Sequence, residues 1–425
     1  MAPSPQQQQP QQPSILLIGA GTFGLSTALH LSSLPSPSHI TLLDASPTIP
    51  SPLSAGHDLT KIVRAEYEDA FYADLALAAM ARWAADPLLA PHYRPVGYLL
   101  GNSAAAGAKS RRSLERSLRS IEARAPWQGR IVAVEGGDAV RRVAPGLDGP
   151  MDGWSGYFNP VAGYVRAKEL LGAVWEVVKG LPGVEVKPGE KVVRLEYEGD
   201  RCVGAVTEAG ARYVADVVVL TVGASVGRLL PSIGRQVAAR SWSVAHVQLT
   251  EEEASRLKGI PVTYSRDLGY FFEPDPDTRL LKVCPSGAGF TNYVKETGIS
   301  VPREDNDFLP AGQEEAVRKI LREHLPGLAD RPLVDCKICW CADTADSEYI
   351  IDFVPGTKGL VVVSGDSGHA FKMFPLVGGW VKDLLDAGEQ SIARWRWKEG
   401  ASAGGEVSWR VGTTRDLNEA TELAT

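Results

Sequence analysis

The chain alternates between short, almost wholly apolar runs and longer stretches of helical apolar spacing. Ile15-Leu16-Leu17-Ile18, Ile40-Thr41-Leu42-Leu43, Val217-Val218-Val219-Leu220 and Leu360-Val361-Val362-Val363 are runs of strand length bounded by glycine, polar or acidic residues. Strands apolar on both faces belong in a parallel sheet covered by helices. Residues 69–86 have helical spacing and stop before Pro87, and residues 163–178 repeat the pattern. SRRSLERSLRSIEARA (110–125) predicts an amphipathic helix whose basic residues form a solvated face. Residues 201–210 and 211–224 read as a hairpin running into a buried strand. Between 240 and 300, SWSVAHVQLT, VTYSR, GYFFEP and RLLKVC predict one large antiparallel sheet. The pattern is that of an α/β protein whose parallel sheet is assembled from separated segments.

The turn after the first strand carries candidate chemistry. Gly19-Ala20-Gly21-Thr22-Phe23-Gly24 follows the strand and opens a helix, and a second strand ends in Asp44. Gly19 permits the tight turn, Gly21 admits a pyrophosphate to the backbone, and Gly24 allows close helix packing. The helix N-terminus favours the anion, with Thr22 and Phe23 in its first turn. Asp44 is placed to accept hydrogen bonds from the adenosine ribose. Strand, helix and acid together predict a Rossmann-like dinucleotide-binding domain.

Composition narrows the rest. A length of 425 residues allows two domains. We assign residues 1–13 to a disordered Pro/Gln-rich leader. Residues 14–93, 151–235 and 335–395 form the nucleotide domain, 94–150 and 236–334 a substrate domain, and 396–425 a C-terminal extension. A net charge of −7 argues against a nucleic-acid partner. No apolar stretch is long enough to predict a membrane span. The leader lacks the features of a signal peptide and the C-terminus is not of SKL type, which predicts a cytoplasmic protein. Five cysteines, an odd number, argue against a disulfide framework. Cys336, Cys339 and Cys341 lack the partners of a zinc site.

Four motifs in order, SAGHDLTKIVR, GYFFEP with LLKVC, KICWCADTADSEYIID and SGDSGHAFKMFPLVG, resemble one family. It is the FAD-dependent amine oxidases of the monomeric sarcosine oxidase family, nearest to the fungal fructosyl amino acid oxidase (amadoriase) branch. The resemblance spans about residues 14–417. It implies a glutathione reductase/D-amino acid oxidase-like fold, bound FAD and a monomer. It also implies oxidation of a secondary amine's C–N bond with O2 as acceptor, giving H2O2. A peroxisomal location also occurs in the family.

The resemblance also implies site roles. Cys339 matches the cysteine bonded to the flavin, with Cys341 the near competitor. Lys282, alone in an apolar strand, matches the lysine that promotes reaction with oxygen. Lys61 matches a basic residue on the flavin face. Arg64 and Lys372 match cations for a substrate carboxylate, Lys372 also lying at the cofactor. Gly365, Ser367 and Gly368, with Asp366 at the cofactor, are expected to open the last helix, their N–H groups holding the negative charge that develops on the flavin on reduction. His369 reads as structural. A sugar-contacting arginine falls at Arg410 or Arg415. The alternatives are a small core thiol for Cys339, an edge-strand lysine for Lys282, and surface charge for Lys61 and Arg64.

The branch has an Asp-Glu pair after LLKVC, the Glu contacting the sugar, whereas this chain has Pro285-Ser286. The branch's HGF/HSF is His369-Ala370-Phe371 here, and its strand-end GAW is Gly223-Ala224-Ser225. The expected substrate is an N-substituted amino acid such as a fructosyl amino acid. The alternatives are saccharopine, pipecolate, sarcosine or a secondary-metabolism amine. A different class of reading is an inactive flavoprotein.

Overall fold

The computed structural model describes residues 13–33, 39–398 and 412–422. Six strands form one sheet, in the order Ile350–Phe353, Leu360–Ser364, Val217–Leu220, Ile15–Ile18, Ile40–Asp44, Val184–Pro188. All neighbours are parallel except the antiparallel pair at the Ile350–Phe353 edge. The predicted apolar runs are its central strands, buried on both faces.

Helix Thr22–Ser32 packs against helices Ala167–Lys179 and Phe374–Ala387. The second contact is backbone to backbone: a Cβ on Gly378 would lie 2.1 Å from the Ser26 carbonyl oxygen. The Ser26 hydroxyl donates to the Phe374 carbonyl (2.6 Å) and accepts from Gly378 N–H (2.9 Å). The hairpin appears as a three-stranded antiparallel sheet of Val192–Glu198, Arg201–Thr207 and Arg212–Val214.

The second large sheet has ten strands. Its backbone is the long strand Val237–Gln248, which pairs with Leu280–Pro285 on one part and with Leu333–Thr344 over most of its length. The sheet is mostly antiparallel, as expected, but Val262–Ser265 pairs in parallel with Tyr98–Asn102. Ser155–Asn159 and Leu333–Thr344 both belong to this sheet, although pattern assigned most of their residues to the nucleotide domain.

Side-chain alternation gives the sheet two different faces. Leu99, Phe271, Leu281 and Val283 face one core with helix Gln313–His324. Tyr98, Leu100, Tyr157 and Phe272 belong to the core shared with the nucleotide domain. Lys282, between Leu281 and Val283, therefore points toward the nucleotide domain.

Candidate active site

At the nucleotide end, Gly19 has φ +107°, and a Cβ there would meet the Thr221 carbonyl oxygen at 2.6 Å. A Cβ on Gly24 would lie 1.8 Å from the Gly19 carbonyl oxygen. Around Gly21 a Cβ would find only the Ser54 hydroxyl, at 3.6 Å, so the approach is open. Helix Thr22–Ser32 starts without a side-chain cap and without an acidic residue in its first turn, leaving its N-terminus for an anion. Asp44 closes this end, accepting from Ala20 N–H (2.7 Å) and Ser46 N–H (2.8 Å). Burial pushes its carboxyl up, against those two hydrogen bonds. Thr221, not singled out in the sequence, donates to the Gly19 carbonyl at 2.7 Å and fixes the turn.

A buried charge cluster lies where the first loop meets the large sheet. Lys282 Nζ is 2.6 Å from Asp58 Oδ2 and donates to the Thr60 carbonyl at 2.7 Å. Lys61 Nζ also reaches Asp58 Oδ2, at 2.8 Å. Lys282 is thus paired, not alone as its apolar strand suggested. Asp58 was legible only as a loop acid, because its partner lies 224 residues away. Burial opposes the Asp58 charge, but Lys282, Lys61 and Lys337 outweigh it and hold the carboxyl far below the usual range. Two lysines around one aspartate leave a net positive charge.

The same cluster reaches the thiol. Lys61 Nζ lies 3.8 Å from Cys339 Sγ. The Cys341 thiol donates to Cys339 and draws its pKa down; Lys61 adds to this while burial opposes it. Cys339 borders a cleft lined also by Ser54, His57, Asn306 and Lys337.

A second cluster gathers Arg64, Tyr67, His369 and Lys372. Lys372 is 6% exposed, and its Nζ donates to Tyr67 Oη (3.1 Å) and to the His369 carbonyl (3.0 Å). Its ammonium is pushed well below the usual lysine range, by burial first and the Arg64 charge second, with Glu66 pulling the other way. Arg64 sits over the Tyr67 ring at 5.2 Å and donates to the Glu66 carbonyl. Glu66 is buried and accepts from Asn159 Nδ2 at 2.6 Å. His369 Nδ1 meets the hydroxyls of Tyr67 and Tyr349, each at 3.1 Å, and Nε2 meets the Ser347 carbonyl at 2.8 Å.

One expectation changes. The turn Gly365–Gly368 does not open the last helix, which begins at Phe374 after a short 3-10 turn. Two of its N–H groups are engaged within the chain: Ser367 donates to the Ala342 carbonyl (3.0 Å) and Gly368 to Asp366 Oδ1 (3.1 Å). Asp366 also accepts from Ala342 N–H at 2.7 Å, and burial pushes its carboxyl up to about 6. Arg410 lies outside the described residues. Arg415 stacks on Phe290 at 4.9 Å and donates to the Ala311 carbonyl, so its guanidinium is engaged at the sheet edge. Ser286 Oγ is buried with no hydrogen-bond partner.

The fold and these clusters define a dinucleotide-dependent oxidoreductase with a cation-lined site. Residues 14–384 match the family described as FAD dependent oxidoreductase, and the chain belongs to that family. It is 34% identical over 421 residues to the L-saccharopine oxidase of Schizosaccharomyces pombe, covering 93% of this chain and 95% of the relative. It is 24% identical over 388 residues to the monomeric sarcosine oxidase of a Bacillus species, covering 88% and 92%. The solved fructosamine oxidase (Amadoriase II) of Aspergillus fumigatus superposes with TM-score 0.87 at 31% identity, covering 97% of both chains.

The protein is accordingly an FAD-dependent amine oxidase of the sarcosine, saccharopine and amadoriase type. The uncapped helix and the open space before Gly21 fit the cofactor's pyrophosphate. Among the described residues, no helix is long and apolar enough to cross a membrane.

Proposed function

We propose that this protein oxidises the C–N bond of a secondary amine that carries a carboxylate, an N-substituted amino acid. Arg64 and Lys372, two basic side chains half-buried or buried in one cluster, carry this reading. A bound carboxylate supplies the charge-assisted hydrogen bonds that such side chains take when charged. Bound FAD supplies the two-electron acceptor, and O2 takes up the electrons to give H2O2. The chain's residues orient the amine and place positive charge at the oxygen side through Lys282 and Lys61.

Between fructosyl and saccharopine-type substrates, Ser286 favours the latter. A serine cannot supply the negative charge that the sugar-contacting Glu provides, and saccharopine offers carboxylates instead of sugar hydroxyls. The S. pombe relative carries that substrate in its name. A screen of saccharopine, fructosyl-glycine, pipecolate and sarcosine, read by H2O2 release, tests this. Saccharopine should give the highest kcat/KM; preference for fructosyl-glycine by tenfold or more reverses the assignment.

Cys339 is the proposed point of covalent attachment. The lowered thiol, Lys61 beside it and the adjoining cleft support a thioether to FAD. Digestion and mass spectrometry should give a flavin-bearing peptide containing Cys339. Flavin that stays with Cys339→Ala after acid precipitation assigns the bond elsewhere. The protein is further proposed to be a cytoplasmic monomer.

A further inference from the structure

We propose that Lys372 is neutral in the resting site and takes the proton shed by the substrate's ammonium. One transfer then frees the lone pair of the reacting nitrogen and charges the lysine that holds the carboxylate. This rests on the carboxylate reading above and assigns a role that binding alone does not require.

The hydrogen bonds carry the argument. The Ser347 carbonyl can only accept, so the His369 Nε2 at 2.8 Å carries a hydrogen. In a neutral ring, Nδ1 then accepts, and it lies 3.1 Å from the Tyr67 hydroxyl. Nδ1 has one lone pair for two hydroxyls, Tyr67 and Tyr349, each at 3.1 Å; whichever donates, the Tyr67 oxygen accepts from Lys372 Nζ at 3.1 Å. The other neighbour of Lys372 Nζ, the His369 carbonyl, also accepts. Two acceptors match the two hydrogens of a neutral amine. In that neutral form the remaining tetrahedral direction is a lone pair, which the substrate's ammonium would meet.

A charged lysine would carry a third N–H, and among the described residues Lys372 has no carboxylate in ion-pair contact. The groups around it are Arg64, Glu66 and Tyr67 from the first loop, His369 from its own turn and Tyr349 behind His369. Helix Ala70–Ala85 contributes Trp83, which donates to the Lys372 carbonyl at 2.7 Å, and Tyr72, stacked on Tyr67 at 5.5 Å and edge-on to His369 at 5.1 Å. Of these, burial and Arg64 oppose a charge on Lys372, while Glu66 and the Tyr67 ring, 5.4 Å from Nζ, favour one.

The proton balance is closed. The substrate enters as an ammonium and a carboxylate. R2NH2+ and Lys–NH2 become R2NH and Lys–NH3+, and no proton is drawn from water. The carboxylate then faces a charged lysine, and the amine has the free lone pair that C–H cleavage beside nitrogen requires. A carboxylate ligand without an amine proton cannot do this, so its binding must take a proton from the buffer.

Calorimetry on the holoenzyme in two buffers of different ionisation enthalpy measures that proton. Methoxyacetate has the shape of sarcosine, a carboxylate and no N–H. At pH 8 its binding should take up about one proton per site, because the lysine must still be charged. Sarcosine bound to the dithionite-reduced holoenzyme should take up close to none. Binding of methoxyacetate without proton uptake overturns the role of Lys372 alone. Failure of methoxyacetate to bind at 100 mM overturns the carboxylate reading with it.

Lys372→Arg gives the second readout. Arginine keeps the charge but cannot be deprotonated in a protein. Flavin reduction in that variant should rise about tenfold per pH unit from 7 to 9, because only pre-neutralised amine reacts. The native enzyme should change little over that range. Parallel profiles in the two proteins also overturn the proposal.

Discussion

The molecule treats its two buried lysines in opposite ways. Lys282 is held by a carboxylate, Asp58, at 2.6 Å, inside a cluster that has a second cation. Among the described residues Lys372 donates to the neutral oxygens of Tyr67 and His369 and lies over the Tyr67 ring, with Arg64 close by. The first arrangement fixes a charge; the second makes a charge costly until a ligand brings one. The same side-chain type therefore serves two tasks, and the surrounding partners decide which. Positive charge is permanent on the Lys282 side and conditional on the Lys372 side.

Breaking the pair at its acid should have the largest effect. Asp58→Asn leaves Lys282 buried without a counter-charge and should cost about 3–5 kcal/mol of stability. The native carboxyl is held far down, so its contribution is complete above the usual carboxylate value and lost only as pH falls below it. The gap between native and variant proteins in urea should thus be constant from pH 5 to 8 and narrow only below about pH 4. A gap that closes at neutral pH would show that Asp58 does not hold the lysines.

Removing the cation comes next. Lys282→Met should slow reaction with O2 by about 10²-fold or more, since superoxide formation loses a fixed charge in a low-dielectric site. Reduction by substrate should be unaffected in stopped flow. Equal oxidation rates would leave Lys282 a structural partner of Asp58.

Much of this was legible, unevenly. The Gly19–Gly24 turn and Asp44 could be read because a local stretch of chain builds that site from backbone geometry. The strand carrying Lys282 could be read as apolar with one charge, but not its counter-ion. Asp58 sits in a loop that reads like any polar link, and only the fold brings it to Lys282. His369 was read as structural because a lone histidine beside a glycine turn more often is; its hydrogen bonds to Tyr67 and Tyr349 join residues 302 and 20 positions apart and leave no local pattern. The last helix was placed too early because glycine and serine after a strand suggest a helix start. The chain instead turns back on Ala342 before the helix begins at Phe374.

The smallest effect tests specificity. Ser286→Glu returns the branch's acid to a position whose hydroxyl is now buried and unpartnered. It should raise the kcat/KM for fructosyl-glycine relative to saccharopine by a few-fold, worth about 1 kcal/mol. No change in the ratio would remove Ser286 from substrate choice. It would move the distinction to residues outside this loop.

The long strand Val237–Gln248 acts as a measuring rod. Trp242 pairs with Cys339 and His246 with Lys282, so the thiol and the lysine hang from one rod four residues apart. At about 3.3 Å per residue their separation along it is roughly 13 Å, set by chain length and not by any side chain. A single-residue insertion between Trp242 and His246 would turn one of the two groups to the opposite face of the sheet. Even a two-residue insertion, which restores the facing, would stretch the distance by about 6.6 Å. Length variation among descendants of this chain should therefore gather in the turns and leave this interval untouched, even where its side chains drift.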